Sequence, residues 1–79
     1  MIYKEQVLTE IQSKFRKNIR GAGLIYMGLY DLISQEQPIT PKSISEAIYA
    51  PVSFVLEYEY IWSIYILINQ DIKQNTKKM

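Results

Sequence analysis

Residues 52–72 contain neither glycine nor proline and form the most apolar part of the chain. This run decides what the remainder can be. Leu56, Tyr58, Tyr60, Trp62, Ile64, Ile66 and Ile68 alternate, and valine, isoleucine, tyrosine and tryptophan suit a pleated strand. The run is nevertheless far longer than a strand of about five or six residues. It holds no turn residue that would fold it into a hairpin, and no second strand-like segment exists to pair with it. A helix over 51–72, with Pro51 at its boundary, is the expected form. At 3.6 residues per turn, Phe54, Val55, Tyr58, Ile61, Trp62, Tyr65 and Ile68 share one broad face, and Leu56, Tyr60, Ile64 and Leu67 take the opposite side. Only the narrow polar lines Ser53/Glu57 and Glu59/Ser63/Gln70 separate them. A helix apolar nearly all round has to be covered on most sides. A chain of 79 residues offers at most three other helices for this, so part of the surface is expected to meet a second copy or another partner.

The rest of the chain reads as shorter helices. Val7, Leu8, Ile11, Phe15 and Ile19 recur every three to four residues among charged ones, which predicts an amphipathic helix over 3–20. Gly21-Ala22-Gly23 interrupts the pattern as a C-cap, a kink or a tight packing point. The pattern resumes with Leu24, Ile25, Leu29, Leu32 and Ile33, predicting a second helix over 23–35 that Pro38 must follow. Thr40-Pro41 is a helix-start signal, with Ser43 and Glu46 as a competing capping box, and Ile44, Ala47 and Ile48 would face inward from a third helix over 41–49. After Ile72 the apolar pattern lapses into a basic tail, 73–79, expected to fray. Gly21 and Gly28, seven residues apart, would let another backbone approach closely, either within the chain or between chains. The expected fold is a single all-α domain of three or four helices, with a trihelical core over about 24–68 and the N-terminal helix packed on it or on a neighbour.

The chain contains no cysteine and no histidine. Disulfides, thiolate or imidazole metal sites, Ser-His-Asp triads and Cys-His dyads are therefore outside its inventory, and no cofactor, metal or enzymatic activity is expected. Glu57 and Glu59 resemble a paired acid site, but two residues apart on a helix they point to different sides. The Arg20–Gly23 turn follows a helical pattern and completes no phosphate-binding fingerprint. Charge is segregated: residues 1–20 carry five basic against two acidic groups, 21–72 carry Lys42 against six acids, and 73–79 add three lysines. Lys14, Arg16, Lys17 and Arg20 cluster within seven residues, which suits contacts to phosphates of a nucleic acid or to an acidic partner, or a solvated helix face. The aromatic residues suit core and interface packing better than base stacking, since none of those beyond Lys42 has a basic neighbour before Lys73. Charged residues precede any apolar segment at the N-terminus, and Glu57 and Glu59 keep the uncharged stretch 60–70 well short of the roughly 20 residues that span a bilayer. A cytoplasmic protein without a transmembrane segment is expected.

In residues 24–60, LIYMGLYDLI is followed by a Gln/Glu-rich turn, by ITPKSISEA and by Phe54, Val55 and Tyr58, and in this order the segment resembles the helix-turn-helix of TetR-type regulators. The first helix would be LIYMGLYDLI, and ITPKSISEA resembles the opening of the family's second helix, with Ile44 in the buried position. Phe54, Val55 and Tyr58 fall where the recognition helix has its threonine, aliphatic residue and tyrosine. Tyr49-Ala50-Pro51 stands where the family has Gly-Val-Ser, and the would-be recognition helix carries Glu57 and Glu59 but no lysine or arginine. The resemblance implies a trihelical fold and DNA binding. The residues themselves point first to a non-enzymatic regulatory or protein-interaction module acting as a homo-oligomer, with Leu56, Tyr58, Tyr60, Trp62, Ile64, Tyr65 and Leu67 as its contact surface. A helix-turn-helix DNA-binding regulator using Lys14, Arg16, Lys17 and Arg20 is the alternative, and a peripheral membrane or immunity-type factor the third reading.

Overall fold

The computed structural model describes residues 3–17 and 20–77, with side chains through residue 74. It is all-α, with five helices in the order α1 (Lys4–Lys17), α2 (Gly21–Ser34), α3 (Pro41–Ile48), α4 (Val52–Leu56) and α5 (Glu59–Lys77) among the described residues. Helix α2 is the hub: α1, α3 and α5 all pack on it, and α4 packs on α3. Its Ile25, Leu29 and Ile33 lose all contact with solvent. They meet Val7 and Ile11 of α1, Ile44 and Ile48 of α3, and Ile61, Trp62, Tyr65 and Ile72 of α5 in one continuous core.

Helix boundaries follow from where free backbone groups find partners. Arg20 is the N-cap of α2 in extended conformation, so α1 ends before it, and the first helix is shorter than the expected 3–20. Ile19, expected in the α1 stripe, lies outside the described residues. Helix α2 starts at Gly21, two residues earlier than expected, because the first-turn N–H groups have no intrahelical acceptor to lose there. It ends in a Schellman motif: Gln37 N–H donates to the Leu32 carbonyl (2.8 Å), Glu36 N–H to that of Ile33 (3.1 Å), and Glu36 takes a left-handed φ of 57°.

Thr40 caps α3 in a reciprocal box: Thr40 Oγ1 accepts from Ser43 N–H (3.0 Å) and Ser43 Oγ from Thr40 N–H (2.9 Å). Ser43 thus serves inside the Thr40 box and does not open one of its own with Glu46. Tyr49, also at φ 57°, closes α3, Ala50 N–H reaches back to the Ser45 carbonyl at 3.1 Å, and Pro51 prevents continuation.

The expected single helix over 51–72 is broken at Glu57 and Tyr58. In a continuous helix the Val55 carbonyl would accept from Glu59 N–H. It accepts instead from Tyr58 N–H (3.0 Å) and from the buried Trp62 indole N–H (2.9 Å). The two lone pairs of this carbonyl thus serve the tightened last turn of α4 and the buried indole at the point where the helix is interrupted. Helix α5 then runs to Lys77, five residues beyond the expected end, since nothing in its C-terminal sequence breaks a helix and the fully covered Ile72 anchors that turn. Residues 73–77 of the expected tail are helical, and 78–79 lie outside the described residues.

Both α2 glycines in question are packing points within the chain. A Cβ on Gly21 would overlap the Tyr58 hydroxyl, and one on Gly28 would come within 2.8 Å of Ile48 Cγ2 and 3.5 Å of Ile44 Cγ2. The α2–α3 contact therefore depends on the missing side chain at Gly28. Gly28→Val should destabilise the fold by about 2 kcal/mol or more, as overpacking of a stiff β-branched neighbour does. For a domain of this size that lowers the thermal midpoint by roughly 10 °C, measurable by circular dichroism; an unchanged midpoint would show that α3 is free to move away.

Candidate functional site

The break between α4 and α5 settles which side of the apolar run faces inward. Trp62 and Tyr65 are 4% and 3% exposed and belong to the core, and Tyr58 is half-buried with its ring 5.2 Å from that of Phe54. Trp62 and Tyr65 therefore leave the expected contact surface: the pull of the core, stronger than that of a solvent-facing stripe, takes the face that includes the indole. Leu56, Tyr60, Ile64 and Leu67 remain outside, at 49%, 75%, 60% and 69% exposure. Tyr60, Ile64 and Leu67 follow one another at spacings of four and three residues, so they form one stripe on successive turns of α5. Leu56 precedes it on α4, where Val52 is also exposed, and Tyr49 stands almost wholly in solvent at the α3–α4 turn. Tyr49 and Val52 were not expected in the surface. The proline after Tyr49, which forces the chain to leave α3 there, was the available signal.

The inner end of α5 is held by polar contacts. Asn69, buried at 3% exposure, donates from Nδ2 to the Gln37 carbonyl (3.0 Å) and so ties the α2–α3 loop to α5. Its Oδ1 is buried without a hydrogen-bond partner. This residue was missed because an Asn near the end of the apolar run, just before the polar tail, carries no local sign of burial.

The basic cluster does not act as one group. Lys14 is drawn across α1: its Nζ pairs with Glu10 at 3.1 Å, donates to Tyr65 Oη at 3.3 Å, and lies 5.9 and 5.8 Å from the Tyr26 and Tyr65 ring centres. The hydrogen bond to Glu10 leads in raising the Lys14 pKa, with Tyr65 adding to it. Burial pushes the Tyr65 hydroxyl up, against the smaller opposing effect of the Lys14 ammonium. Arg16, Lys17 and Arg20 are exposed.

The hollows elsewhere among the described residues include these two. One, of about 170 Å3 between α1 and α2, is lined by Ile11, Gln12, Phe15, Tyr26, Met27 and Tyr30. That is smaller than the roughly 300 Å3 at which small-molecule sites begin, and no charged group reaches it. The other is an open, polar depression near Asp31, Gln35 and Glu46. Among the described residues no three acidic side chains come together in a way that would hold a metal ion, and no helix is long and apolar enough to cross a membrane. The fold and surface thus define a small all-α domain with an uncovered apolar stripe on its last two helices. No protein-family model, no curated protein and no solved structure matches this chain.

The inward and outward faces separate cleanly by substitution. Trp62→Ala should cost about 3–5 kcal/mol and leave the domain largely unfolded, whereas Tyr60→Ala should change stability by no more than about 0.5 kcal/mol. Urea unfolding of the two variants measures both, and equal losses would contradict the division of faces.

Proposed function

We propose that this protein is a non-enzymatic interaction module that acts by burying the α4–α5 stripe against another helical surface. The observation that carries this reading is the run of Tyr60, Ile64 and Leu67, each more than half exposed, whereas the large apolar side chains exposed on α1 and α2, Phe15, Leu24 and Met27, are each less than half exposed. Covering a large apolar side chain contributes about 1.5–3 kcal/mol, and a tyrosine next to aliphatic residues is the composition typical of an interface anchor. The mode is a helix laid against a helix, with anchors at i, i+4 and i+7. A regulatory role follows from such capture, since the domain supplies a surface and, on this reading, no chemistry.

The test is a double substitution, Ile64→Ser with Leu67→Ser. Both side chains are exposed, so the thermal midpoint should stay within a few degrees of the parent. Association with a second copy or with a co-purifying chain, read by sedimentation and cross-linking, should be lost. A variant that associates as the parent does would place the contact elsewhere.

A second reading, a helix-turn-helix DNA-binding regulator, is favoured by a separate observation. Helices α3 and α4 meet across the short turn 49–51 and α2 packs on α3, while Arg16, Lys17 and Arg20 project into solvent. This arrangement accords with the resemblance to TetR-type regulators. If the reading holds, duplex DNA binds at about 50 mM salt and is released at about 200 mM. Changing Arg16, Lys17 and Arg20 together to serine should flatten that salt dependence. Absence of binding at the lower salt would leave the arrangement without a DNA function.

A further inference from the structure

Two uncovered apolar features face solvent on different sides of α2, and one is the shape of the other's gap. The stripe projects a ring: Tyr60 is 75% exposed, with its ring centre 6.2 Å from that of Tyr58. The hollow between α1 and α2 holds about 170 Å3. That is small for a ligand but sufficient for one aromatic ring, since an apolar cavity of about 150 Å3 takes up benzene. Phe15 and Met27 in its wall, and Leu24 three residues before Met27, keep apolar surface in solvent for a ring's neighbours to cover.

Charge at the two features is opposite in sign. A link of three residues between two helices that pack along each other leaves α1 and α2 antiparallel. The end of the hollow at their junction is therefore basic: exposed Arg16 lies one turn beyond Gln12, and exposed Arg20 lies two turns before Met27. Glu10 is paired with Lys14, and Lys17 lies on the other side of α1 from Phe15. The far end is mixed, with Lys4, Glu5 and Asp31. Tyr60 is flanked by exposed Glu57 and Glu59. Asp71 and the lysines at 73 and 77 stand about 17 to 26 Å further along α5, beyond the screening length of about 8–10 Å.

We infer that the Tyr60 ring of one molecule enters the α1–α2 hollow of a second copy, with Glu57 and Glu59 turned to Arg16 and Arg20. The inference rests on the interaction reading above and names the partner and the face that receives the stripe.

A stripe set on its copy's stripe satisfies less. In an antiparallel pair centred on Ile64 the apolar rows coincide, but Glu57 and Asp71, each seven residues from the centre, come level across the pair. Moving the centre to residue 68 sets Glu59 level with Lys77 and carries Tyr60 off the apolar row, to the level of Thr76. In a parallel pair each charge meets its own copy. A contact between two different faces has none of these conflicts, and it closes as a reciprocal pair or a ring, or continues as a chain.

Sedimentation of the full chain and two variants tests this. Tyr60→Ala removes the ring. Gln12→Glu with Met27→Glu puts carboxylates into two exposed walls of the hollow, at helical positions that glutamate suits, so circular dichroism should show both folds retained. The parent should self-associate, less tightly as salt is raised from about 50 to 500 mM. Each variant alone should self-associate at least about tenfold more weakly than the parent. Mixed in equal amounts, the two variants should associate at least about tenfold more tightly than either does alone, because one keeps the ring and the other keeps the hollow.

A Gln12→Glu, Met27→Glu variant that associates as the parent does would overturn the inference, and so would a mixture no tighter than its components. In either case the interaction reading stands if Ile64→Ser with Leu67→Ser abolishes association, and falls if it does not. A parent that stays monomeric up to about 1 mM would overturn the inference as well, and the interaction reading would then be decided by a co-purifying chain.

Discussion

The Val55 carbonyl has two claimants, and the way it is shared shapes the C-terminal half of the molecule. A helix running through residues 55–59 would give it to a backbone N–H. The Trp62 indole needs an acceptor once its ring is buried, because an unpaired N–H in the core costs a few kcal/mol. It finds one in the Val55 carbonyl, which also accepts from Tyr58 N–H at the break between α4 and α5, while α4 packs on α3 and Trp62 and Tyr65 of α5 join the core around α2. The row of Tyr60, Ile64 and Leu67 is left on the outward side of α5. One hydrogen bond thus links the core, the chain's change of direction and the surface proposed for function.

Much of this was legible in the order of residues. The all-α class followed from the length of the turnless apolar run, and the start of α3 from Thr40-Pro41. The wheel separated Trp62 and Tyr65 from Tyr60, Ile64 and Leu67, yet it carries no information on which side a neighbouring helix will claim. That depends on α2, whose approach to α3 requires the missing side chain at Gly28. The helix break was illegible for a related reason: the Trp62 indole that shares the Val55 carbonyl at the break sits seven residues away and needs it only when buried. Lys14 looked like one of four equivalent cations, but its partners are Glu10 one turn back and the hydroxyl of Tyr65, 51 residues distant. Local periodicity does not reveal such a contact.

Charge segregation takes on a spatial meaning in the fold. The exposed positive groups Arg16, Lys17 and Arg20 flank the junction of α1 and α2, with Lys42 exposed on α3, whereas the acids Glu57, Glu59 and Asp71 accompany α4 and α5. The lysine that would have blurred this division is the one drawn into the tyrosine pair. A net charge near zero therefore conceals two surfaces of opposite preference, and the proposed functions fall on different ones: phosphate contacts belong to the first and helix capture to the second.

The turns after α2 and α3 place Glu36 and Tyr49 in the left-handed region, while none of the chain's three glycines has a positive φ. A side chain held there costs about 1–2 kcal/mol that glycine would not. Glycine has been placed at helix contacts, where its small size counts, and withheld from the reversals, where its backbone freedom would. The fold consequently holds unused thermodynamic headroom at two solvent-facing corners. Changes there can offset losses elsewhere, so a core substitution that costs a kcal/mol or so, on the order of a typical single mutation, can be borne without the fold being lost.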